Sequence, residues 1–235
     1  MIDDVYKTLN IIVNKDNNGY LSPREFNQLA NTVQLEIFRS YFEDENRDKN
    51  KENRGLTNRG YSNLSFNQRQ LINPFEKEET LSISNGVYPL PTDLYLIQDD
   101  GVYHELLTNP TVIDEVEKYK INYLLNSIAK PSQYYPVFES FSVGIKVYPT
   151  TIQQDIKMKY IRVPKAPKWT FVQTIDGDPL FNPAAGDFQD FELSRAEFHN
   201  IVINMASYFG INLRELDVTQ IVEAMRNKND IKNNE

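Results

Sequence analysis

The sequence predicts an α+β fold, with an N-terminal helix pair, a central mostly antiparallel β-sheet with an inserted helix, and C-terminal helices. Near both ends of the chain, apolar residues recur every three to four positions, as on one face of a helix. In between, apolar and polar residues alternate, as in strands that are buried on one face. Turn signals such as Asn85-Gly86 separate the alternating stretches, which favours antiparallel hairpins.

Residues 1–42 are predicted to form a helical hairpin. An amphipathic helix over residues 3–13 leads through the polar turn Asn14–Gly19 into a second helix. The second helix has the clearest period in the chain. Its apolar residues are Phe26, Leu29, Ala30, Val33, Ile37, Phe38, Tyr41 and Phe42.

Residues 43–63 have a different character, because charged and amide residues replace the apolar period. Such a stretch cannot bury enough apolar surface to offset the cost of ordering it. We predict a charged flexible loop. The alternative is a segment that becomes ordered only against a partner subunit.

Residues 64–190 are predicted to be mainly β. A short helix from Ser65 to Ile72 ends at Asn73-Pro74, and Asp99–Gly101 reads as a turn. The predicted strands are Thr80–Ser84, Val87–Pro91, a buried Asp93–Gln98, Val102–Leu106, Tyr134–Glu139, Phe141–Pro149, Asp155–Pro164 and Thr170–Ile175. The inserted helix is predicted over Thr111–Ala129, and Asp176–Asp190 is predicted to be a loop.

Residues 191–227 are predicted to form the C-terminal helices. The first begins near Ser194 and reaches Phe209, with Gly210 as the residue after its end. The second begins at Asp217, and residues 228–235 form a polar tail. We expect these parts to fold as one integrated domain.

The stretch between the first two helices fits the twelve-residue calcium loop of an EF-hand. The ligands at positions 1, 3, 5, 7, 9 and 12 would be Asn14, Asp16, Asn18, the Tyr20 carbonyl, Ser22 and Glu25, with Gly19 at the bend. Only two of these ligands carry charge, and the sequence has no second such loop to pair with it. A calcium-binding, EF-hand-like interaction module is therefore the alternative function.

The same stretch also has the pattern of a helix start. Ser22 would be the N-cap, Pro23 the first helical residue and Glu25 the partner in a capping box. Leu-Ser-x-x-Glu/Gln recurs at Leu64–Gln68 and Leu193–Glu197, where no calcium loop exists. The repeated use of this device favours structural capping, so we predict no metal ligands here.

Other candidate sites in the sequence are isolated. His104 and His199 lack the context of a catalytic or metal motif and are predicted to be surface or half-buried residues. Asp176–Asp178 is predicted to be a turn rather than a metal site. Lys165, Lys168 and Trp169 form a small basic and aromatic cluster that would suit contact with a partner or nucleic acid. We predict no catalytic residue, no cofactor and no metal, and hence no enzyme.

Composition excludes several classes of protein. The 235 residues include no Cys, which excludes disulfides and thiolate metal sites and is typical of a reducing cytoplasm. The net charge of −8 argues against a dedicated nucleic-acid-binding protein. No apolar run approaches the roughly 18 residues of a membrane span. Because Met1–Asp4 lacks the features of a signal peptide, we expect a soluble protein made inside a cell.

Segments along most of the chain resemble a known family. They are Asn14–Asn27, Ala30–Phe38, Leu90–Tyr95, Tyr135–Val137, Val147–Pro149, Tyr160–Trp169, Phe191–Ser194 and Tyr208–Glu215. The opening, which includes Gly19-Tyr20-Leu21-Ser22-Pro23, resembles tail ring proteins of crAss-like bacteriophages. The later segments are similar to head-to-tail connector and ring proteins of short-tailed phages. These motifs concern packing rather than chemistry.

The resemblance implies a virion structural protein, a ring-forming subunit that joins portal to tail and helps to line the genome channel. Its partners would be copies of itself, in a twelve-fold ring where the ring matches the portal, together with the portal and neighbouring tail or ring proteins. It would be assembled in the host cytoplasm and located at the head-tail junction or in the tail, with no membrane partner. DNA would pass transiently, because negative charge on a channel wall attracts no phosphate.

Overall fold

The computed structural model describes residues 1–15, 21–53, 69–105, 110–175 and 177–213. Its helices are α1 (Ile2–Lys15), α2 (Pro23–Asn53), α3 (Lys118–Leu125) and α4 (Phe198–Leu213). Its strands are β1 (Glu76–Leu81), β2 (Tyr88–Pro89), β3 (Leu94–His104), β4 (Thr111–Val112), β5 (Asp114–Glu115), β6 (Val137–Phe141), β7 (Gly144–Tyr148), β8 (Ile156–Arg162), β9 (Phe171–Gln173) and β10 (Pro179–Phe181). The predicted α+β class is confirmed.

The chain divides into two units. Unit 1 combines Met1–Leu71 with Pro164–Glu235, and unit 2 is Ile72–Val163. Unit 1 therefore contains α1, α2, α4 and the β9–β10 hairpin, whereas unit 2 contains the two larger sheets and α3. The chain leaves unit 1 once and returns to it at Pro164.

The helices of unit 1 bury the stripes that the sequence predicts. Both α1 and α2 pack against α4, so the predicted hairpin has a third helix as partner. Fully buried residues recur at helical spacing along all three elements, because each presents one apolar face to this core. They include Val5 and Leu9 of α1, Phe26, Ala30, Val33 and Phe38 of α2, and Ile201 and Met205 of α4.

The predicted loop beginning at Glu43 is wrong in its first part, because α2 continues through this region to Asn53. The sequence contains no proline or glycine between Pro23 and Gly55. Glutamate, lysine and arginine are also strong helix formers. The end of the apolar stripe in the sequence therefore does not mark the end of α2. Residues 54–63 lie outside the described part of the chain.

The end of α4 also differs from the prediction. Gly210 does not terminate the helix, which runs on to Leu213. A glycine inside a helix costs only about 1 kcal/mol relative to alanine, and no proline follows it before Leu213. The predicted helix from Asp217 and the tail 228–235 lie outside the described residues.

The core of unit 2 lies in two four-stranded sheets. Their strand orders are β1-β8-β3-β4 and β2-β7-β6-β5. All neighbours in them are antiparallel except β5 and β6, which are parallel and are connected through α3. The core residues are Leu81, Tyr88, Val102, Ile113, Phe138, Ile145, Val147, Ile152, Ile156, Met158 and Tyr160. Strand β8 alternates in burial as predicted, and the predicted β6–β7 hairpin is confirmed.

The predicted turn at Asn85-Gly86 is present, but it joins two sheets rather than two long paired strands. Asn85 and Gly86 have φ values of 52° and 80°, the left-handed conformation that a tight hairpin turn requires. Pairing across the turn is limited to the bridge between Ser84 and Val87. Beyond it, β1 pairs with β8 and β2 pairs with β7.

The predicted turn at Asp99–Gly101 is wrong, because β3 continues through these residues as one strand. Its register against β8 shifts between Ile97 and Val102, which marks a bulge. A Cβ at Gly101 would lie 2.5 Å from the Lys159 carbonyl oxygen, so only glycine permits this approach. The prediction of a buried strand is also wrong for Leu96, which is 51% exposed.

The predicted helix Thr111–Ala129 is wrong over its first part. Residues Thr111–Val112 and Asp114–Glu115 form β4 and β5, and only Lys118–Leu125 are helical. Ile113 is buried between exposed neighbours, which is the alternation of a strand rather than the period of a helix. Pairing of β4 with β3 and of β5 with β6 fixes these residues in an extended conformation.

Candidate interaction surfaces

The predicted capping box at the start of α2 is formed. The Ser22 hydroxyl donates to Glu25 Oε2 at 2.6 Å, and the Ser22 N–H donates to the same carboxylate at 3.2 Å. The Glu25 N–H in turn donates to Ser22 Oγ at 3.3 Å. Leu21 and Phe26 on either side are both buried, as a hydrophobic staple requires.

This geometry gives Glu25 a structural role. Its carboxylate, which would be the bidentate twelfth ligand of a calcium loop, already accepts two hydrogen bonds from Ser22. Residues 16–20, which would supply the central ligands, lie outside the described residues. Elsewhere in the described part of the chain, no group of three carboxylate or histidine side chains is arranged to hold a metal ion.

The other two predicted capping signatures have different outcomes. Leu64–Gln68 lies outside the described residues. At the third, Ser194 is an N-cap whose Oγ accepts from the Ala196 N–H at 3.3 Å, but it caps a 3-10 turn over Arg195–Glu197 that leads into α4. The Glu197 carboxylate accepts from the Asn200 side chain at 2.7 Å.

The two histidines are far from any reactive arrangement. His199 is exposed on α4, as predicted. His104 at the end of β3 is only 1% exposed, so the prediction of a surface or half-buried residue is wrong there. Burial lowers the pKa of His104, opposed by a hydrogen bond with the backbone of Gln133. His104 shares a face of β3 with Val102, two residues before it, which is buried in the core of unit 2, and this position explains the burial.

The predicted basic and aromatic cluster is a surface only in part, because Lys165 and Lys168 are exposed whereas Trp169 is 2% exposed and lies in the core of unit 1. Its ring stacks on Tyr6 with centroids 4.1 Å apart, and Phe171 and Phe181 stack at 5.8 Å each. Lys168 is paired with Asp187 on the surface. Trp169 therefore joins α1 to the β9–β10 hairpin and is not available to nucleic acid.

The predicted turn after β9 is confirmed in its described part. Gly177 has a φ of 90°, and its N–H donates to the Thr174 carbonyl at 3.0 Å. The Asp178 N–H donates to Thr174 Oγ1 at 3.1 Å. The predicted loop 176–190 also contains β10, so β9 is not a lone edge strand.

A network of charged groups and one phenol lies on unit 2. The buried Tyr160 hydroxyl is 2.8 Å from both Glu79 Oε2 and Asp93 Oδ1. Lys77 Nζ bridges the same carboxylates at 3.1 and 3.2 Å. Hydrogen bonds with Tyr160 and then with Lys77 lower the pKa of Glu79. Lys77 balances one of the two carboxylate charges and occupies the space between them, so the network ties β1 and β8 to the segment before β3.

A groove of about 800 Å³ lies in unit 1 between the N-terminal part of α2 and the segment before β9. One wall is polar and the other is apolar. The polar wall is formed by Ser22, Arg24, Asn27, Gln28, Asn31 and Thr32, together with Pro23. The apolar wall is formed by Ala166, Pro167 and Phe171.

Two amides of α2 hold the apolar wall in place. The Asn27 side chain donates to the Trp169 carbonyl at 3.0 Å and accepts from the Trp169 N–H at 2.8 Å. Seven residues later on the same helix face, the buried Gln34 donates to the Lys165 carbonyl at 2.8 Å and accepts from the Glu192 N–H at 3.1 Å. Hydrogen bonds therefore join the two walls of the groove within unit 1.

One face of the β9–β10 hairpin packs on Trp169, and the opposite face is apolar and exposed. Phe171 and Phe181 lie opposite each other and stack on Trp169. Because side chains alternate along a strand, the pair Val172 and Leu180 points the other way. These two are 54% and 63% exposed. We call Val172, Leu180 and the exposed Ile175 of the turn the hairpin surface.

Unit 2 has a separate set of exposed aromatic residues on α3 and on the segment that leads to β6. Tyr123 and Tyr135 are 82% and 79% exposed, and Tyr119, Tyr134 and Ile128 are also well exposed. We call these five residues the tyrosine surface. Residues 118–135 contain Lys118, Lys120 and Lys130, and Lys120 forms an ion pair with Glu117 at 2.7 Å.

No known protein-family model matches the chain, and no curated protein matches it at a significant level. Among the residues that the structure describes, no helix is both long enough and apolar enough to cross a membrane.

Sequence reasoning found the capping box, but it missed the groove, the hairpin surface and the tyrosine surface. The groove combines residues 22–32 with residues 166–171, which are distant in the sequence and meet only through folding. The tyrosines lie in the predicted helix Thr111–Ala129 and the predicted strand Tyr134–Glu139, where a core-facing position would bury them, but all four are exposed. A signal was nevertheless present, because four of the 14 Tyr of the chain lie within residues 119–135.

Proposed function

We propose that this protein is a structural subunit of a bacteriophage virion, which forms a ring in the head-to-tail connector or tail. The subunit acts by binding copies of itself and the neighbouring rings, and it carries out no reaction. The resemblance of its sequence to ring and connector proteins of short-tailed phages supports this role. In the ring it would join portal to tail and surround the path of the genome.

The observation that carries the proposal is the pair of exposed apolar surfaces. A closed ring needs a heterologous interface, in which two different patches of each subunit meet. The hairpin surface belongs to unit 1 and the tyrosine surface to unit 2. Large apolar side chains exposed in groups mark interaction sites on soluble proteins, and tyrosine is enriched at interfaces because its ring is apolar and its hydroxyl is polar.

The charge of the chain also fits passage of DNA without binding. At a net charge of −8, the subunit as a whole repels phosphate, so it lacks the electrostatic term that dominates nonspecific DNA binding. A ring of such subunits would let a genome move through it. Non-specific DNA binding that weakens steeply with salt would contradict this part of the proposal.

The proposal is tested by the assembly state. Native mass spectrometry and negative-stain imaging of the purified chain, alone and mixed with the portal protein encoded in the same genome, should reveal a ring or a complex with the portal. A protein that remains monomeric over the whole accessible concentration range and does not bind the portal would overturn the proposal.

A further inference from the structure

Within the part of the chain that the structure describes, the hairpin of unit 1 has a backbone edge with no strand paired to it. Strand β9 pairs there only with β10 in a two-stranded sheet, with Phe171 opposite Phe181 and Gln173 opposite Pro179. The Asn182 N–H donates to the Thr170 carbonyl at 2.9 Å, and the Thr174 N–H donates to the Asp178 carbonyl at 2.9 Å. Antiparallel pairs alternate between bonded and non-bonded. Because Thr170 and Asn182 form one hydrogen-bonded pair and Thr174 and Asp178 form another, Phe171 and Gln173 lie in non-hydrogen-bonded pairs.

This alternation decides which backbone groups are available. The N–H and C=O groups of Phe171 and Gln173 point away from β10, toward the outer edge of β9. No backbone bond from these groups to another described residue is present. An edge of this kind is a template for a further strand. Phe171 also lines the groove beside α2, so the free edge and the groove adjoin each other.

The lining of the groove favours an acidic occupant. Arg24 supplies a positive charge, and Gln28 and Asn31 supply amides on the same wall of α2. The described residues that line the groove include no carboxylate, although the chain as a whole carries a charge of −8. An arginine beside neutral amides is complementary to a carboxylate, which it binds through paired N–H donors.

We propose that this groove binds an extended, acidic peptide segment of a partner protein, which adds to β9 as a further strand. The segment pairs its backbone with Phe171 and Gln173, places an apolar side chain against Pro167, and places an Asp or Glu side chain on Arg24. Strand addition supplies affinity through the main chain and selectivity through the side chains. The site does not depend on ring formation, because a single copy of unit 1 contains all of it.

The test is a selection of random decapeptides displayed on yeast against the full-length chain. The proposal expects enriched peptides that carry an Asp or Glu within a β-favouring sequence. An enriched peptide is then synthesised, and its affinity is measured by fluorescence anisotropy. Two further copies are N-methylated, one at each alternate set of backbone nitrogens, and the copy whose methyl groups face β9 should lose binding because it lacks the donors that strand addition needs.

Two substitutions with matched controls locate the site. Arg24→Glu should weaken the peptide about tenfold or more, the effect of losing one charge-assisted contact of at least 1.4 kcal/mol. Arg39→Glu, the same charge change at another exposed position of α2, should have little effect. Gln173→Pro should abolish binding because it removes an edge N–H, whereas Gln173→Ala retains that N–H and should bind.

Three results would overturn the inference: no enrichment over a selection without target, enrichment of basic or neutral peptides, or equal binding by Arg24→Glu and the parent chain. Equal binding of both N-methylated copies and the unmodified peptide would exclude strand addition without relying on any variant. Each of these outcomes is independent of the assembly state, so the site and the ring can fail separately.

Discussion

Ser22 and Glu25 determine how α2 begins. Their reciprocal hydrogen bonds satisfy backbone N–H groups that have no partner inside a helix. Tyr6 adds a further link, because its hydroxyl donates to the Leu21 carbonyl at 3.0 Å and its ring meets Phe26 edge-on. The residues that look like the end of a metal loop therefore connect α1 to the start of α2.

Ser22→Ala should lower the free energy of unfolding by about 1 kcal/mol, the usual cost of losing an N-cap. Glu25→Gln should cost less, because glutamine also serves as the partner in a capping box. Urea denaturation measures both changes, with the exposed Thr32→Ala as a control on the same helix. A larger loss for Glu25→Gln than for Ser22→Ala would contradict the capping role.

Calorimetry with calcium separates the two interpretations of Asn14–Glu25. If Glu25 is a capping residue, neither the parent chain nor Glu25→Gln should release heat at millimolar calcium. Binding by the parent chain that Glu25→Gln removes would instead establish a calcium loop, because the twelfth position supplies its bidentate carboxylate.

The buried Tyr160 hydroxyl helps to lower the pKa values of two carboxyl groups in unit 2, those of Glu79 and Asp93. Desolvation opposes ionisation of Asp93, but hydrogen bonds with Tyr160 and Lys77 outweigh it and lower the pKa of Asp93. The pKa of Glu79 is lowered as well. Carboxylates with a lowered folded pKa stabilise a protein above their unfolded pKa values of about 4. That contribution is lost as the pH falls through the folded values.

Tyr160→Phe should therefore raise the pKa values of Glu79 and Asp93 toward their ordinary range. Carbon-detected NMR titration of the carboxyl groups measures this shift. The difference in unfolding free energy between the parent chain and the variant should be largest near pH 7 and should shrink below about pH 4. Tyr148→Phe is the control, because its hydroxyl donates to Glu139 instead. Unchanged pKa values in Tyr160→Phe would contradict the account.

At the scale of elements, α2 organises unit 1 through polar side chains as well as through its apolar stripe. Asn27 and Gln34 lie one above the other on the helix and each bonds two backbone groups of the segments that follow Pro164 and precede α4. The groove and the hairpin therefore depend on two amides that no composition or period singles out.

Gln34→Met, which keeps the volume but removes the amide, should destabilise unit 1 by about 1–3 kcal/mol. It would leave the part-buried Lys165 carbonyl and Glu192 N–H without their Gln34 partner. Gln28→Met at an exposed position of the same helix should change stability by less than about 0.5 kcal/mol. Equal effects of the two substitutions in urea denaturation would show that the Gln34 bonds contribute nothing.

Elements with one buried face were predictable, whereas elements fixed by distant partners were not. The stripe of α2 and the alternation of β8 follow directly from sequence period, and both are confirmed. The residues around Ile113 have the apolar spacing of a helix, but they are extended because β4 pairs with β3 and β5 pairs with β6. Asp99–Gly101 reads as a turn, but pairing of β3 with β8 on both sides turns it into a bulge.

The candidate surfaces were less predictable than the fold, for the same physical reason. A capping box is local, so Ser22 and Glu25 could be recognised within four residues of sequence. Exposure is not local. Trp169 and Tyr123 are both aromatic residues in polar surroundings, yet the first is 2% exposed and the second 82%. Only the packing of Trp169 against Tyr6 distinguishes them.

At the scale of the whole molecule, each chain has two different exposed apolar surfaces, which is what an interface between unlike surfaces of neighbouring subunits requires. The hairpin surface and the tyrosine surface differ in character, since the first is aliphatic and the second is mainly aromatic. An interface that joined like surfaces would stop at a dimer, whereas one that joins unlike surfaces continues and gives a ring where the rotation between subunits closes. The proposed ring therefore requires that each surface binds the other and not itself.

A mixing experiment with two variants tests this requirement most directly. One variant carries Val172→Glu and Leu180→Glu in the hairpin surface, and the other carries Tyr123→Glu and Tyr135→Glu in the tyrosine surface. All four positions are exposed, so both variants should fold. By native mass spectrometry, each variant alone should remain monomeric, because one of its two surfaces is blocked.

A one-to-one mixture should form a heterodimer, through the intact tyrosine surface of the first variant and the intact hairpin surface of the second, while the parent chain forms rings. Variants that assemble like the parent, or a mixture that stays monomeric while the parent assembles, would contradict the account.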